Sequence, residues 1–175
     1  MGRWSWDAWP AMPEPMTFGT VETAWGPMQL ATTSRGILLI ARGDDPGRLL
    51  DAALRRVPRA ELQTATPDFA DWLTGWIAGR RRDLPPVDLR GLSTFEAAVY
   101  QSVREIGWGD RATYGDIAVA VGRPGGARAV GGAMARCPIF PAVPCHRVVR
   151  AADGWSGWGT SGDARKRALL DREQR

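Results

Sequence analysis

The spacing of apolar residues changes at Leu84-Pro85-Pro86-Val87-Asp88, and that change limits what the chain can fold into. Adjacent prolines cannot continue a helix or a central strand, so this stretch is extended and separates two kinds of pattern. Before it, Thr17 to Thr23 alternates as a strand, Ala24-Trp25-Gly26-Pro27 turns, and Met28 to Thr33 returns. Ser34-Arg35-Gly36 makes a second turn into a buried strand, Ile37 to Ala41. Two helices follow: one from Asp45-Pro46 with Leu49, Leu50, Ala53 and Leu54 on its apolar face, and one from Asp68 to Ala78. The second carries Phe69, Trp72, Leu73, Trp76 and Ile77 at helical spacing, which reads as core and not as a ligand box.

Beyond the prolines the signals are helical. Ser93-Thr94-Phe95-Glu96 is a capping box that starts a helix through Val99, Tyr100 and Val103 to Ile106. Thr113 caps a shorter helix, Tyr114 to Val121, and Gly122 to Gly126 separates it from another, Ala127 to Arg136. Two short helices joined by a glycine-containing turn form a helix-turn-helix pattern. Ala168, Leu169 and Leu170 are expected to face inward from a final helix that starts at Asp163. The expected fold class is therefore α+β: a small N-terminal β-meander and helix domain (17–88), then a mostly helical C-terminal domain (89–175). Residues 1–16, rich in tryptophan and proline, read as a tail that docks on the domain or on a partner, or else stays poorly ordered.

The helix from Ala127 to Arg136 has Ala127, Gly131 and Ala135 on one face, with Ala129 and Gly132 beside them. Glycine inside a helix costs about 1 kcal/mol against alanine. The tandem pair therefore needs a reason, which is close approach of another surface. That surface is either a nucleic-acid groove too narrow for an ordinary recognition helix or a neighbouring helix of the same domain.

At 175 residues and 44% hydrophobic content the chain can bury a proper core. No apolar run is long enough to span a bilayer, and the first residues do not form a secretory signal. Two cysteines make no disulfide framework, so a reducing cytoplasm is the expected location. The net charge is +4, carried almost wholly by arginine, with Lys166 the single lysine. Such a balance suits phosphate contacts through forked donors.

One of the two cysteines adjoins the only histidine, in Pro144-Cys145-His146-Arg147-Val148-Val149. A thiolate is a strong nucleophile, and imidazole is suited to moving its proton near neutral pH. A packed cysteine beside a surface histidine is the plainer reading of the dipeptide alone. Cys137, Cys145 and His146 lack zinc spacing, so no metal site is expected.

In order along the chain, Ser93-Thr94-Phe95-Glu96-x-x-Val99-Tyr100, Thr113-Tyr114-Gly115-Asp116-Ile117-Ala118, Ala127 to Met134, Pro144 to Val149, Gly154 and Lys166-x-x-Leu169-Leu170-x-x-Glu173 resemble the O6-alkylguanine-DNA alkyltransferases. The N-terminal meander is similar to that family's small first domain. The resemblance implies a cofactor-free, single-use enzyme, a monomer, whose partner is duplex DNA carrying O6-alkylguanine. It implies that Cys145 accepts the alkyl group, that His146 draws the thiol proton through a water, and that Glu173 orients the imidazole. It makes Tyr114 the residue that crowds the phosphate and offers a proton to the leaving base, and Arg128 the one that fills the space left by the flipped nucleotide. It further implies a DNA-binding surface of Thr113, Tyr114, Gly115, Arg123, Ala127, Arg128, Gly131 and Arg136, and a substrate pocket of Met134, Val148, Trp158, Gly159 and Thr160.

The chain departs from the family pattern in two places. Cys137 stands where the family has an asparagine tying the recognition helix to the active segment, and a thiol cannot make that amide's paired hydrogen bonds. Gly159-Thr160-Ser161-Gly162 replaces a tyrosine-containing run, leaving the aromatic wall of the pocket to Trp158 or without a residue. Two other readings follow from these residues: a thiolate acceptor for a substrate other than DNA, and a non-enzymatic sensor of alkylated bases.

Overall fold

A computed structural model describes residues 13–43, 45–64, 69–151 and 163–175. The first three strands, β1 (Glu14–Thr23), β2 (Gly26–Thr33) and β3 (Gly36–Arg42), form the expected antiparallel meander. β1 begins inside the stretch read as a tail: Glu14, Pro15 and Met16 pair with a fourth strand, β4 (Ala60–Thr64), which runs parallel to β1 at the sheet edge. The sheet order is β3-β2-β1-β4. Pro15 is tolerated because it precedes Met16, where pairing with β2 begins, so a neighbouring strand lies on only one side of it.

Both faces of this sheet are covered, which explains why β2 and β3 read as near-continuous apolar runs. On one face, α1 (Pro46–Arg56) presents Leu49 and Ala53 to Met16, Ala31 and Leu38. Asp45 caps it as expected, its Oδ1 accepting from the Gly47 and Arg48 amides at 3.1 and 3.4 Å. On the other face, Met28, Leu30, Ile37 and Ile40 share one apolar core with α2 (Ala70–Ile77) and with the C-terminal helices. The core is therefore continuous across the proline link. α2 starts at Ala70 behind Phe69, whose backbone is left-handed (φ 67°); the Asp68 start lies outside the described residues.

The 84–91 link is bound to the sheet. Ile37 donates to the Pro86 carbonyl at 3.0 Å and accepts from the Asp88 amide at 2.8 Å. Gly36 (φ +122°) is required here, because a Cβ would lie 2.3 Å from the Pro86 oxygen. Arg90 bonds both Asp88 and Glu14, and Thr33 donates to Asp88 at 2.7 Å. Burial alone would raise the Asp88 pKa, but these hydrogen bonds outweigh it and bring it to about 2.

In the second half, α3 (Thr94–Arg104) carries the expected Ser93/Glu96 capping box, and α4 (Tyr114–Ala120) has a second one between Thr113 and Asp116. α4 and α5 (Ala127–Ala135) form the helix-turn-helix, with positive-φ glycines at 122 and 125 in the turn. The Tyr100 hydroxyl donates to the Ala133 carbonyl at 2.9 Å and holds α5 against α3. Two short parallel strands, β5 (Ala112–Thr113) and β6 (Val148–Val149), join the helix-turn-helix to the cysteine segment. α6 (Asp163–Glu173) closes the chain, with Lys166, Leu169, Leu170 and Glu173 buried. Ala168, expected inward, is exposed, because Lys166 and Glu173 occupy the inner face with the leucines. Among the described residues no helix is long and apolar enough to cross a membrane.

Candidate active site

Cys145, His146 and Arg147 form one turn of 3-10 helix, all three buried. The turn is short because Pro144 has no amide hydrogen to extend it upstream and β6 begins at Val148. β6 pairs in parallel with β5, the strand that runs into Tyr114, so this short ladder ties the cysteine turn, which enters it, to the start of α4, which leaves it.

α6 brings Glu173 beneath this turn. One carboxylate oxygen lies 2.8 Å from His146 Nε2; the Arg147 guanidinium donates to both oxygens, at 2.9 and 3.0 Å. Burial alone would raise the Glu173 pKa, but the hydrogen bonds from His146 and Arg147 outweigh it and hold it at about 2. Glu173 is therefore ionised and can only accept. The proton between the two groups accordingly belongs to His146 Nε2. Burial keeps the imidazole pKa below its ordinary value despite the opposing pull of Glu173, so the ring is neutral and its Nδ1 carries a lone pair. That Nδ1 is buried without a hydrogen-bond partner among the described residues.

The Cys145 thiol is pushed well above its ordinary pKa, first by a hydrogen bond with the Cys137 thiol and then by burial; the Lys166 charge opposes both. A thiol held protonated needs a base to react, and the adjacent ring supplies one with a free lone pair. Cys137 thus sits in direct contact with Cys145.

Cys145 lines a cavity of about 500 Å³. Tyr114, Gly131, Met134, Ala135 and Cys137 form its helix-turn-helix side, while Trp25, Met28, Ile40 and Arg42 come from the N-terminal sheet. Phe140 and Arg165 complete it. Trp76, expected to be core, is fully buried but packs edge-on against His146 with ring centroids 5.8 Å apart, and Phe140 does the same at 5.9 Å.

Of the residues expected at the site, Cys145, His146, Glu173, Tyr114, Met134 and Gly131 converge here. Val148 does not line the cavity: its side chain is fully buried in the core, because β6 pairing turns it inward, while its carbonyl accepts from Lys166 Nζ at 2.5 Å. Trp158, Gly159 and Thr160 lie outside the described residues. Thr113 and Gly115 sit at the start of α4, Thr113 as its cap. Arg128 is exposed on α5. Arg123 stacks over Phe95 at 4.9 Å, and Arg136 pairs with Glu96 at 3.2 Å on the surface. The residues that sequence reading missed are Arg147, Trp25, Arg42, Phe140 and Arg165.

The small-residue face of α5 is not packed inside the domain. Ala129 and Ala135 are exposed and Ala127, Gly131 and Gly132 half-buried. A Cβ on Gly131 would meet only Tyr114 ring carbons at ordinary contact, 3.9 and 4.0 Å, and one on Gly132 would meet the flexible end of Arg136 at 3.3 Å. Internal crowding therefore does not require either glycine.

Residues 94–175 match the family model for the DNA-binding domain of 6-O-methylguanine DNA methyltransferase. The chain is 37% identical over 150 residues to the Escherichia coli bifunctional transcriptional activator/DNA repair enzyme Ada, a match covering 82% of this chain and 41% of that protein. It thus spans less than two thirds of Ada. The match to the methylated-DNA–protein-cysteine methyltransferase of Mycolicibacterium paratuberculosis is 45% over 147 residues, 80% of this chain and 87% of that one. The crystal structure of Mycobacterium tuberculosis O6-methylguanine methyltransferase superimposes with a TM-score of 0.69 at 32% identity, covering 91% and 93% of the two chains. That of Mycobacterium tuberculosis OGT in complex with DNA gives 0.69 at 31% identity, covering 90% and 93%. The chain belongs to the methylated-DNA–protein-cysteine methyltransferase family.

Proposed function

We propose that this protein repairs duplex DNA by taking the alkyl group from O6 of guanine onto Cys145, once per molecule, as a monomer in the cytoplasm. The observation that carries the reading is the hydrogen-bonded order at the residue next to Cys145: an ionised, buried Glu173 and a neutral His146 that donates to it through Nε2 and keeps an Nδ1 unpartnered among the described residues. His146 removes the thiol proton through Nδ1, by way of a bridging water. The thiolate sulfur then attacks the alkyl carbon as the C–O6 bond breaks, and the electron pair passes into the guanine. A proton from the Tyr114 hydroxyl lets guanine leave as a neutral base, and the phenolate is reprotonated through solvent as His146 gives up the thiol proton. The net exchange is thiol hydrogen for alkyl group, so neither a metal nor an organic cofactor is needed for balance. A thioether is not hydrolysed by water, which makes the reaction stoichiometric.

The alkylated base must leave the stack to reach a buried sulfur, at a cost of a few kcal/mol. Residues 89–175 are the DNA-binding and acceptor domain in this reading, with 17–88 closing one side of the cavity. The exposed small-residue face of α5 supports entry into the narrow groove, and exposed Arg128 on the same helix is the residue to occupy the vacated space. Thr113, Gly115 and Ala127 flank that contact, and Arg123 and Arg136 reach the backbone phosphates from its two ends.

The test is intact-mass measurement after incubation with duplex containing O6-methylguanine. Wild-type protein should gain one methyl, located at Cys145 by peptide mapping, and Cys145→Ala should gain none. Methyl removal by the alanine variant would end the proposal, and duplex binding without any mass gain would make the protein a sensor.

A further inference from the structure

The outer wall of the Cys145 cavity carries charges that the transfer chemistry does not use. Trp25, in the turn between β1 and β2, has two guanidinium groups over its ring: Arg42 at 5.8 Å and Arg165 at 5.2 Å from the centroid. Arg42 ends β3 and Arg165 lies in the first turn of α6, so three distant segments meet at this point. Trp25 is fixed in turn by parallel stacking on Phe140, 6.1 Å away, which itself packs on His146.

Neither arginine makes an ion pair among the described residues, whereas Arg90, Arg136 and Arg147 all do. Arg42 is held below its ordinary pKa by partial burial and then by the Arg165 charge, so the two cations feel each other. Arg165 also places positive charge at the helix end where the dipole favours anions. Stacking over an indole leaves the in-plane N–H groups of a guanidinium free to meet oxygen acceptors. Like charges gathered over one ring beside a reactive cavity are suited to an incoming anion.

We infer that Arg42 and Arg165, seated on Trp25, form an oxyanion subsite at the mouth of the alkyl-acceptor cavity. Its occupant is either a backbone phosphate next to the extruded nucleotide or a carboxylate carried on the O6 adduct itself. The inference rests on the alkyl-transfer reading.

Single-turnover transfer to Cys145 is measured with two duplexes of one sequence, bearing O6-methylguanine or O6-carboxymethylguanine, for wild type, R42Q, R165Q and the double variant. R59Q, at an exposed arginine in the turn between α1 and β4, is the charge-matched control. Loss of a charge-assisted hydrogen bond predicts about a tenfold decrease or more in the double variant. A decrease confined to the carboxymethyl duplex identifies the adduct carboxylate. An equal decrease on both duplexes, absent from R59Q, identifies the phosphate. Rates within twofold of wild type on both duplexes, or a decrease matched by R59Q, would overturn the subsite. Failure of wild type to alkylate Cys145 from either duplex would instead overturn the transfer reading, and the subsite's role with it.

Discussion

Replacing Glu173 by glutamine keeps the shape of the side chain and removes a charge on which two buried groups depend. The Glu173 side chain is 1% exposed and accepts hydrogen bonds from His146 and twice from Arg147. Its pKa lies at about 2 against an ordinary 4.5, and at about 1.4 kcal/mol per pH unit the difference corresponds to about 3 kcal/mol of folding stability. Because the folded-state pKa is depressed, that contribution is complete above an unfolded pKa of 4.5 and is lost as pH falls toward 2. A second route gives a similar figure: removing one partner of a buried ion pair costs about 3–5 kcal/mol, since the other charge is left unpaired. For a chain of this size each kcal/mol moves Tm by about 2–4 °C, so E173Q should melt roughly 10 °C below wild type at pH 7.5. The gap should narrow at pH 3, where wild type has lost most of the contribution. Adding Arg147→Met should restore part of the lost Tm by removing the stranded cation. Circular dichroism melts at the two pH values test all three points. A Tm within about 2 °C of wild type at pH 7.5, or a double variant less stable than E173Q, would refute the reasoning.

Gly131→Ala should raise the melting temperature slightly, by up to about 1 kcal/mol of helix propensity, while slowing transfer from duplex; a lower Tm would mean that the bare face of α5 serves internal packing after all. Cys137→Ala should move the pH–rate midpoint of Cys145 alkylation by iodoacetamide downward, since the Cys137 thiol is the first cause holding it high. A midpoint that stays or rises would contradict the contact between the two thiols. Gly36→Ala should destabilise by about 1–3 kcal/mol from backbone strain alone, with a clash against Pro86 in addition, read by urea denaturation; an unchanged midpoint would show that the link is not held as described.

Local signals carried most of the fold. The meander, the Asp45 and Ser93 caps and the helix-turn-helix each depend on residues a few positions apart, and the structure has all of them. β4 escaped notice because an edge strand of the sequence Ala-Glu-Leu-Gln-Thr buries little, and its Leu62 is 40% exposed. The inner face of α6 is hidden in the sequence for a related reason. Lys166, Leu169, Leu170 and Glu173 have helical spacing, but two of them are ionic, so an apolar pattern cannot find that face. Cys145 and His146 stand together in sequence and were legible as chemistry. Glu173 was reached only through family resemblance, and Arg147 stood in the same motif without a role, because its carboxylate partner lies 26 positions away. Trp25, Arg42 and Arg165 come from three separate elements, and only the closed tertiary structure brings them to one cavity.

The ion pair beneath the cysteine turn also imposes an order of assembly. As the chain emerges during synthesis, Arg147 and His146 appear well before Glu173, and Arg172 beside it donates to the Trp76 and Ile77 carbonyls at the end of α2, both at 3.1 Å. Until α6 docks, burying the cysteine turn would strand the Arg147 cation and leave the imidazole without the acceptor that fixes its tautomer. The same last turn therefore holds both the end of α2 and the His146–Arg147 pair. A chain released before residue 173 would lack the carboxylate that pairs the Arg147 cation and fixes the His146 tautomer.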